Sequence, residues 1–171
     1  YSGIANAGYI LVAVATLREE TFGYVLYYLT AYGVGSMIAF TIYFIVKDQT
    51  GYDSIAGLKG LFSKNKFLAA VLAFTMLSLA GIPPLAGFFG KYAIFVNAIN
   101  ANAIWLVIIA ILTSLIGVYY YLRVMTTAMS AGDDIPKLDI HLSYKIVLTL
   151  GVIILLTLGV VPDLFNNLIS K

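Results

Sequence analysis

The sequence predicts an all-α membrane protein of about five transmembrane helices, the third of them broken. Three observations carry this. Of the 171 residues, 61% are hydrophobic and 11% charged, against roughly 45–50% and about 25% in an average soluble domain, so a soluble fold would have too little polar surface to cover it. The charges fall at the ends of long apolar runs rather than along them. One run is too long for a single straight crossing and carries two adjacent prolines in its middle.

A helix needs about 20 mostly apolar residues to cross the hydrocarbon core. Tyr1 to Leu17 carries no charge and stops at Arg18, Glu19 and Glu20, giving a first span over about 1–17. Phe22 to Val46 is uncharged and ends at Lys47, giving a second over 22–46. A polar loop follows to Lys66, with Asp48, Asp53, Lys59 and Lys64 and the breakers Gly51, Gly57 and Gly60. The third apolar stretch covers 67–98, the fourth 103–123 up to Arg123, and the fifth 145–162, stopped by Pro162 and Asp163. Between the last two lies a polar loop with Asp133, Asp134, Pro136, Lys137, Asp139 and His141. The runs are apolar on all sides and lack the alternation of barrel strands, so helices are the spanning elements. The whole of 1–171 reads as part of one membrane domain. The absence of an initial methionine, with an apolar run already under way, reads as part of a longer chain, and Tyr1 onward lacks the basic start of a signal peptide.

Lysine and arginine mark the cytoplasmic side of a membrane protein. Following the chain through its crossings puts Lys47, Lys59, Lys64, Lys66, Arg123, Lys137 and Lys145 on one face, and Arg18 and Lys171 on the other. The first face is expected to be cytoplasmic.

Several function classes drop out. A net charge of +2, spread over short loops, offers no basic patch for nucleic acid. There is no cysteine for a disulfide, thiolate metal site or iron–sulfur cluster, and the single His141 has no partner histidine, so no metal site is expected. Nor is there a phosphate loop, a dinucleotide fingerprint or a nucleophile–base arrangement.

The third stretch carries the chemistry. As one helix its roughly 30 residues would reach about 45 Å, against a core of about 30 Å. Ala80-Gly81-Ile82-Pro83-Pro84 supplies the break: Pro83 and Pro84 remove two backbone donors, Ile82 is pushed out of the helical region, and Gly81, Gly87 and Gly90 permit unusual backbone and close packing. Two half-helices joined by an unwound piece with room for water are expected, a design that lines ion sites in transporters. Just past the break stands Lys91. An ammonium at membrane depth costs roughly 3 kcal/mol or more, and a lysine so placed can release and regain a proton. Lys91 is thus the candidate proton carrier; the plainer alternative is a lysine snorkelling to the interface. Asn6, Ser36 and Tyr120 are candidate polar support. Around Ser36, Gly33 and Gly35 also suit close helix packing. Tyr119, Tyr120 and Tyr121 before Arg123 also read as an aromatic belt.

Leu79-Ala80-Gly81-Ile82-Pro83-Pro84-Leu85-Ala86-Gly87-Phe88-Phe89-Gly90-Lys91 resembles the signature of the antiporter-like subunits of respiratory complex I. Tyr1-Ser2-Gly3-Ile4-Ala5-Asn6-Ala7-Gly8-Tyr9 and Gly117-Val118-Tyr119-Tyr120-Tyr121-Leu122-Arg123-Val124 are similar to two further stretches of that family in order and spacing. The tyrosine run, with a lysine on the broken helix, resembles the subunit N group of NADH-quinone oxidoreductase. The resemblance covers almost the whole chain, least closely from Asp133 onward. It implies an antiporter-like inverted-repeat fold, of which this is the C-terminal portion, in the bacterial cytoplasmic (inner) membrane, with an organellar inner membrane as the alternative. It implies a proton-translocating subunit of the enzyme NADH:quinone oxidoreductase, with the family's broken-helix lysine falling on Lys91 near the outward proton exit. No cofactor is implied in this chain; flavin, iron–sulfur clusters and quinone belong to partner subunits, and the partners are other membrane subunits of complex I, the lipid bilayer, protons and water. Many members carry histidine where this chain has Asn6, whose amide bonds neighbours but does not titrate. Two alternatives stand beside this: a Mrp-type cation/proton antiporter subunit, and a purely structural scaffold with Lys91 inert.

Overall fold

The structure, a computed structural model, describes residues 2–16, 21–132 and 137–161. All regular elements among them are helical: α1 (Ser2–Ala15), α2 (Thr21–Thr50), a 3₁₀ turn at Ile55–Leu58, α3 (Leu61–Lys64), α4 (Lys66–Ala80), α5 (Ala86–Asn100), α6 (Ile104–Met129) and α7 (Leu142–Val160). The expected helix stops at Leu17–Glu20 and Pro162–Asp163, and the loop residues Asp133, Asp134 and Pro136, lie outside the described residues.

α2, α6 and α7 are each long and apolar enough to cross a bilayer. α4 and α5 have 15 residues each, about 22 Å of helix, and only in series do they make a crossing. The charges mark where the membrane ends but not where the helices end. α2 runs past Lys47 and Asp48 to Thr50, where Gly51 in left-handed conformation (φ 73°) stops it. α6 continues past Arg123 to Met129, and α7 starts at Leu142, before Lys145. Beyond the hydrocarbon a charged side chain can reach water from a helix whose other face is still packed, so a charge there does not oppose the helix.

The lysine-rich end is laced together by side chains that hold loop backbone. Asn65 caps α4 by accepting from the Leu68 N–H (3.1 Å) while its amide donates to the Leu138 carbonyl (2.9 Å). Gln49 exchanges two hydrogen bonds with the Asp139 backbone, at 2.8 and 3.1 Å. Gly60 and Gly132 pass so closely that a Cβ on Gly60 would sit 2.6 Å from the Gly132 carbonyl oxygen. Asp53 pairs with Lys47 (2.8 Å) and accepts from the Tyr43 hydroxyl. The Lys47 bond, and after it the Tyr43 bond, holds the Asp53 carboxyl below its ordinary value.

α2 lies against both half-helices, and α4 packs chiefly on α6. The core has two parts. The larger fills the half nearest the lysine-rich loops, with Ile38, Ile42, Leu61, Leu68, Leu72 and Leu148 among its buried residues. The smaller, Tyr9, Ala13, Tyr28, Ile94 and Ala110, fills the opposite half. Small residues set the helix spacing: a Cβ on Gly35 would meet the Leu79 side chain at 2.9 Å, and one on Gly151 the Ile38 side chain at 2.8 Å.

Candidate functional site

The break between α4 and α5 is a closed turn. Gly81 ends α4 in left-handed conformation (φ 83°, ψ 41°). Its N–H bonds the Ser78 carbonyl at 3.0 Å, and the Ile82 N–H bonds that of Leu77 at 3.1 Å, which is the Schellman pattern. The Leu85 N–H then bonds the Ile82 carbonyl at 3.1 Å across Pro83 and the cis-linked Pro84. Proline has no N–H, so no backbone donor from Gly81 to Leu85 is left without an acceptor. The segment is unwound as expected, but it offers water no open backbone donor: the bonds above take up each N–H, and the prolines have none. The half-helices also meet tightly. A Cβ on Gly87 would lie 1.9 Å from the Ser78 carbonyl oxygen, one on Gly90 3.0 Å from the Tyr28 ring, and one on Gly159 of α7 2.5 Å from the Pro84 carbonyl oxygen.

The cap leaves two carbonyls of α4 over, and Lys91 takes both. A helical side chain leans back toward its own N-terminus, which on the second turn of α5 aims Lys91 at the end of α4. Its Nζ donates to the carbonyl oxygens of Leu79 and Ala80, both at 3.2 Å, and to Ser114 Oγ of α6 at 3.4 Å. The Tyr9 ring lies 5.4 Å from Nζ. Lys91 is 6% exposed and, among the described residues, forms no ion pair. A snorkelling lysine would reach outward to an interface; this one is folded into the break.

Opposing terms act on the ammonium here. Desolvation costs roughly 3 kcal/mol or more. Against it stand hydrogen bonds from a charged donor, each worth about 1.5–3 kcal/mol, the negative end of the α4 dipole, up to about 2 kcal/mol in partly buried geometry, and the tyrosine face, about 1 kcal/mol.

On one side of Lys91 lies a polar cluster. Asn6, 3% exposed, accepts a hydrogen bond from the Tyr28 hydroxyl, and its amide nitrogen donates to the Ser2 carbonyl (2.8 Å), Ser2 Oγ (3.1 Å) and the Tyr121 hydroxyl (3.2 Å). Ser2 and Tyr121 are also bonded to each other. Between this cluster and Lys91 is a cavity of about 10 Å³, walled by Asn6, Tyr28, Tyr32, Ser78, Gly87 and Lys91 among others, about the space one water needs. On the other side the lysine meets the smaller apolar core, where Ile94 and Ala13 are wholly buried. Beyond it, Asn97 donates to the Thr16 carbonyl (3.2 Å) and Thr21 Oγ1 (3.0 Å).

Gly81, Pro83, Pro84, Gly87, Gly90, Lys91 and Asn6 are thus brought together at one level. Ser36 and Tyr120 are not. They line a wider cleft of about 610 Å³ between α2 and α6, with Tyr32 and Tyr121, and Tyr120 meets the Ser2–Tyr121 edge of the polar cluster through side-chain hydrogen bonding to both residues and a ring contact with Tyr121 (4.6 Å). Tyr119 is exposed, as a belt residue would be. Four participants were missed: Tyr9, Tyr28, Tyr121 and Ser114. A signal for two of them was present, because Val107, Ala110, Ser114, Gly117 and Tyr121 recur every three to four residues, one face of α6.

A broken transmembrane helix whose second half returns a lysine to the end of the first is the kind of arrangement that lines ion sites in membrane transporters. Residues 1–117 match the family described as NADH:quinone oxidoreductase/Mrp antiporter, transmembrane, and the chain belongs to that family. It is 37% identical over 170 residues to NADH-quinone oxidoreductase subunit N of Moorella thermoacetica, covering 98% of this chain and 36% of the relative. It is 42% identical over 140 residues to the subunit of the same name from Cytophaga hutchinsonii, covering 81% and 30%. A chain of respiratory complex I from Thermus thermophilus with bound aureothin superposes with a TM-score of 0.83 at 32% identity, covering 96% of this chain and 37% of that one. This chain therefore spans about a third of the length of the relatives it matches. The helical fold and the bacterial inner-membrane setting follow from these likenesses and the apolar helices.

Proposed function

We propose that this chain is the C-terminal part of a proton-translocating subunit N of NADH-quinone oxidoreductase. Residues 1–171 form one portion of a single membrane domain, and Lys91 is its proton carrier. The observation that carries this is the docking of the Lys91 ammonium on the Leu79 and Ala80 carbonyls inside the break. The relatives named as subunit N and the complex I chain of like fold support the assignment to this branch rather than to the Mrp antiporters that share the family.

In this reading the partners are the other membrane subunits of complex I, and redox chemistry takes place in subunits that carry flavin, iron–sulfur clusters and quinone. The sequence has no cysteine with which to hold a cluster. The chain supplies a site where a proton can rest. Charged Lys91 is held by the α4 terminus; a water in the adjoining cavity would lie between it and the Asn6–Tyr28 pair and would exchange the proton. Because the backbone donors of the break are already used, the turn keeps its shape while the lysine changes charge.

The test is Lys91→Ala in the whole complex, assayed in membrane vesicles. NADH-driven proton translocation per electron should fall, while the amount of assembled complex stays near wild type. An unchanged proton-to-electron ratio would overturn the proposal. Purified complex that travels only with small antiporter subunits, and drives sodium–proton exchange without NADH, would move the chain to the antiporter branch.

A further inference from the structure

We infer that Ser114 is the positioning residue that lets Lys91 change protonation state without leaving a buried polar group unpaired. The inference rests on the reading of Lys91 as a proton carrier.

Of the three groups that receive hydrogen bonds from Nζ, two are carbonyl oxygens, which only accept. A charged lysine offers three donors and no acceptor, and three acceptors surround it. A neutral lysine has two donors and one lone pair. The carbonyls still satisfy the two donors, but neither can donate to the lone pair. A hydroxyl both accepts and donates. Ser114 accepts from the ammonium and, by rotating its O–H, donates to the amine. The Tyr9 face favours only the charged form. No other hydrogen-bond partner of Nζ, among the described residues, can change role in this way.

The hydroxyl is also kept available. Threonines of the membrane helices turn their hydroxyls back onto the carbonyl four residues earlier: Thr30 onto Leu26 (2.8 Å), Thr75 onto Val71 (2.7 Å), Thr113 onto Ile109 (3.0 Å) and Thr157 onto Ile153 (2.8 Å). Ser114, next to Thr113, instead meets Lys91. It lies on the face of α6 between buried Ala110 and Gly117. Ser114 thus brings to the lysine a group from a helix outside the broken pair.

The experiment compares Ser114→Ala, Ser114→Thr and Ser114→Val in the assembled complex, with Lys91→Ala alone and combined with Ser114→Ala. Threonine and valine have nearly the same shape and differ by the hydroxyl, which separates the chemistry from packing; rates are normalised to assembled complex. Expected are a roughly five- to tenfold loss of coupled proton translocation for the alanine and valine variants, a threonine rate between those of valine and serine because its proton can also turn to the Ala110 carbonyl, and no further loss when Ser114→Ala is added to Lys91→Ala. Equal rates for threonine and valine, or an unaffected Ser114→Ala beside an uncoupled Lys91→Ala, would overturn the inference and leave Lys91 as carrier. A Lys91→Ala variant that still translocates normally would overturn the reading beneath it as well.

Discussion

Lys91 stands between two surroundings built from the same helices. On one side are Asn6, Tyr28, Ser78 and a cavity the size of one water; on the other are Tyr9, Ala13, Ile94 and Ala110. On α1 the change occurs along a single buried face, from Asn6 to Tyr9 to Ala13, so one turn, about 5.4 Å of rise, separates hydrogen-bonded from dry. The difference shows that the described chain gives the lysine polar company toward the lysine-rich loops and an apolar layer toward the opposite face.

Disturbing the break that holds the two sides together has the largest expected effect. Gly87→Val puts a branched side chain where even a Cβ would be 1.9 Å from the Ser78 carbonyl oxygen. With backbone on both sides unable to yield, it should cost about 3 kcal/mol or more. Native electrophoresis of the membranes should then show little assembled complex; a normal band would mean that the half-helices can separate.

Ile94→Asn sharpens the contrast by putting an amide into the dry side. It loses the burial of a large aliphatic chain and adds a polar group without a fixed partner, about 3 kcal/mol together. The assembled complex should melt at lower temperature, and vesicles should show a proton leak in the absence of NADH. Tight vesicles would show that the apolar layer is not what keeps protons from crossing.

Asn6→Leu erodes the polar side and should act more mildly. It leaves the Tyr28 and Tyr121 hydroxyls short of a partner, at about 1–2 kcal/mol. A lowered melting temperature with only a partial loss of translocation is expected. If translocation instead vanished as fully as with Lys91→Ala, Asn6 would have to belong to the proton path itself.

The break was legible because its cause is local. Proline, glycine and an excess of length act on the backbone wherever the helix sits, so Gly81, Pro83 and Pro84 could be read directly. The burial of Lys91 was half legible: a lone charge in an apolar run signals a special site, but folding inward and snorkelling are equally open to a free side chain. Ser36 and Tyr120 lie along the wider cleft because the rotation of α2 and α6 about their axes is set by packing. One position along α6 turns a side chain by about 100°, which is why Tyr121 and not Tyr120 reaches Asn6.

The sequence by itself determined that this chain lies in a membrane, roughly where its helices run, which crossing is broken, and that Lys91 is the residue to explain. Those properties follow from hydrophobicity, charge and backbone chemistry, each summed over neighbouring residues. Only the tertiary structure decided what Lys91 touches: the two carbonyls at the end of α4, the tyrosine face from α1 and the serine hydroxyl from α6. These groups come from segments far apart in the chain, and whether a lysine meets a carbonyl, a hydroxyl or lipid depends on helix rotation and depth, which no stretch of sequence fixes alone.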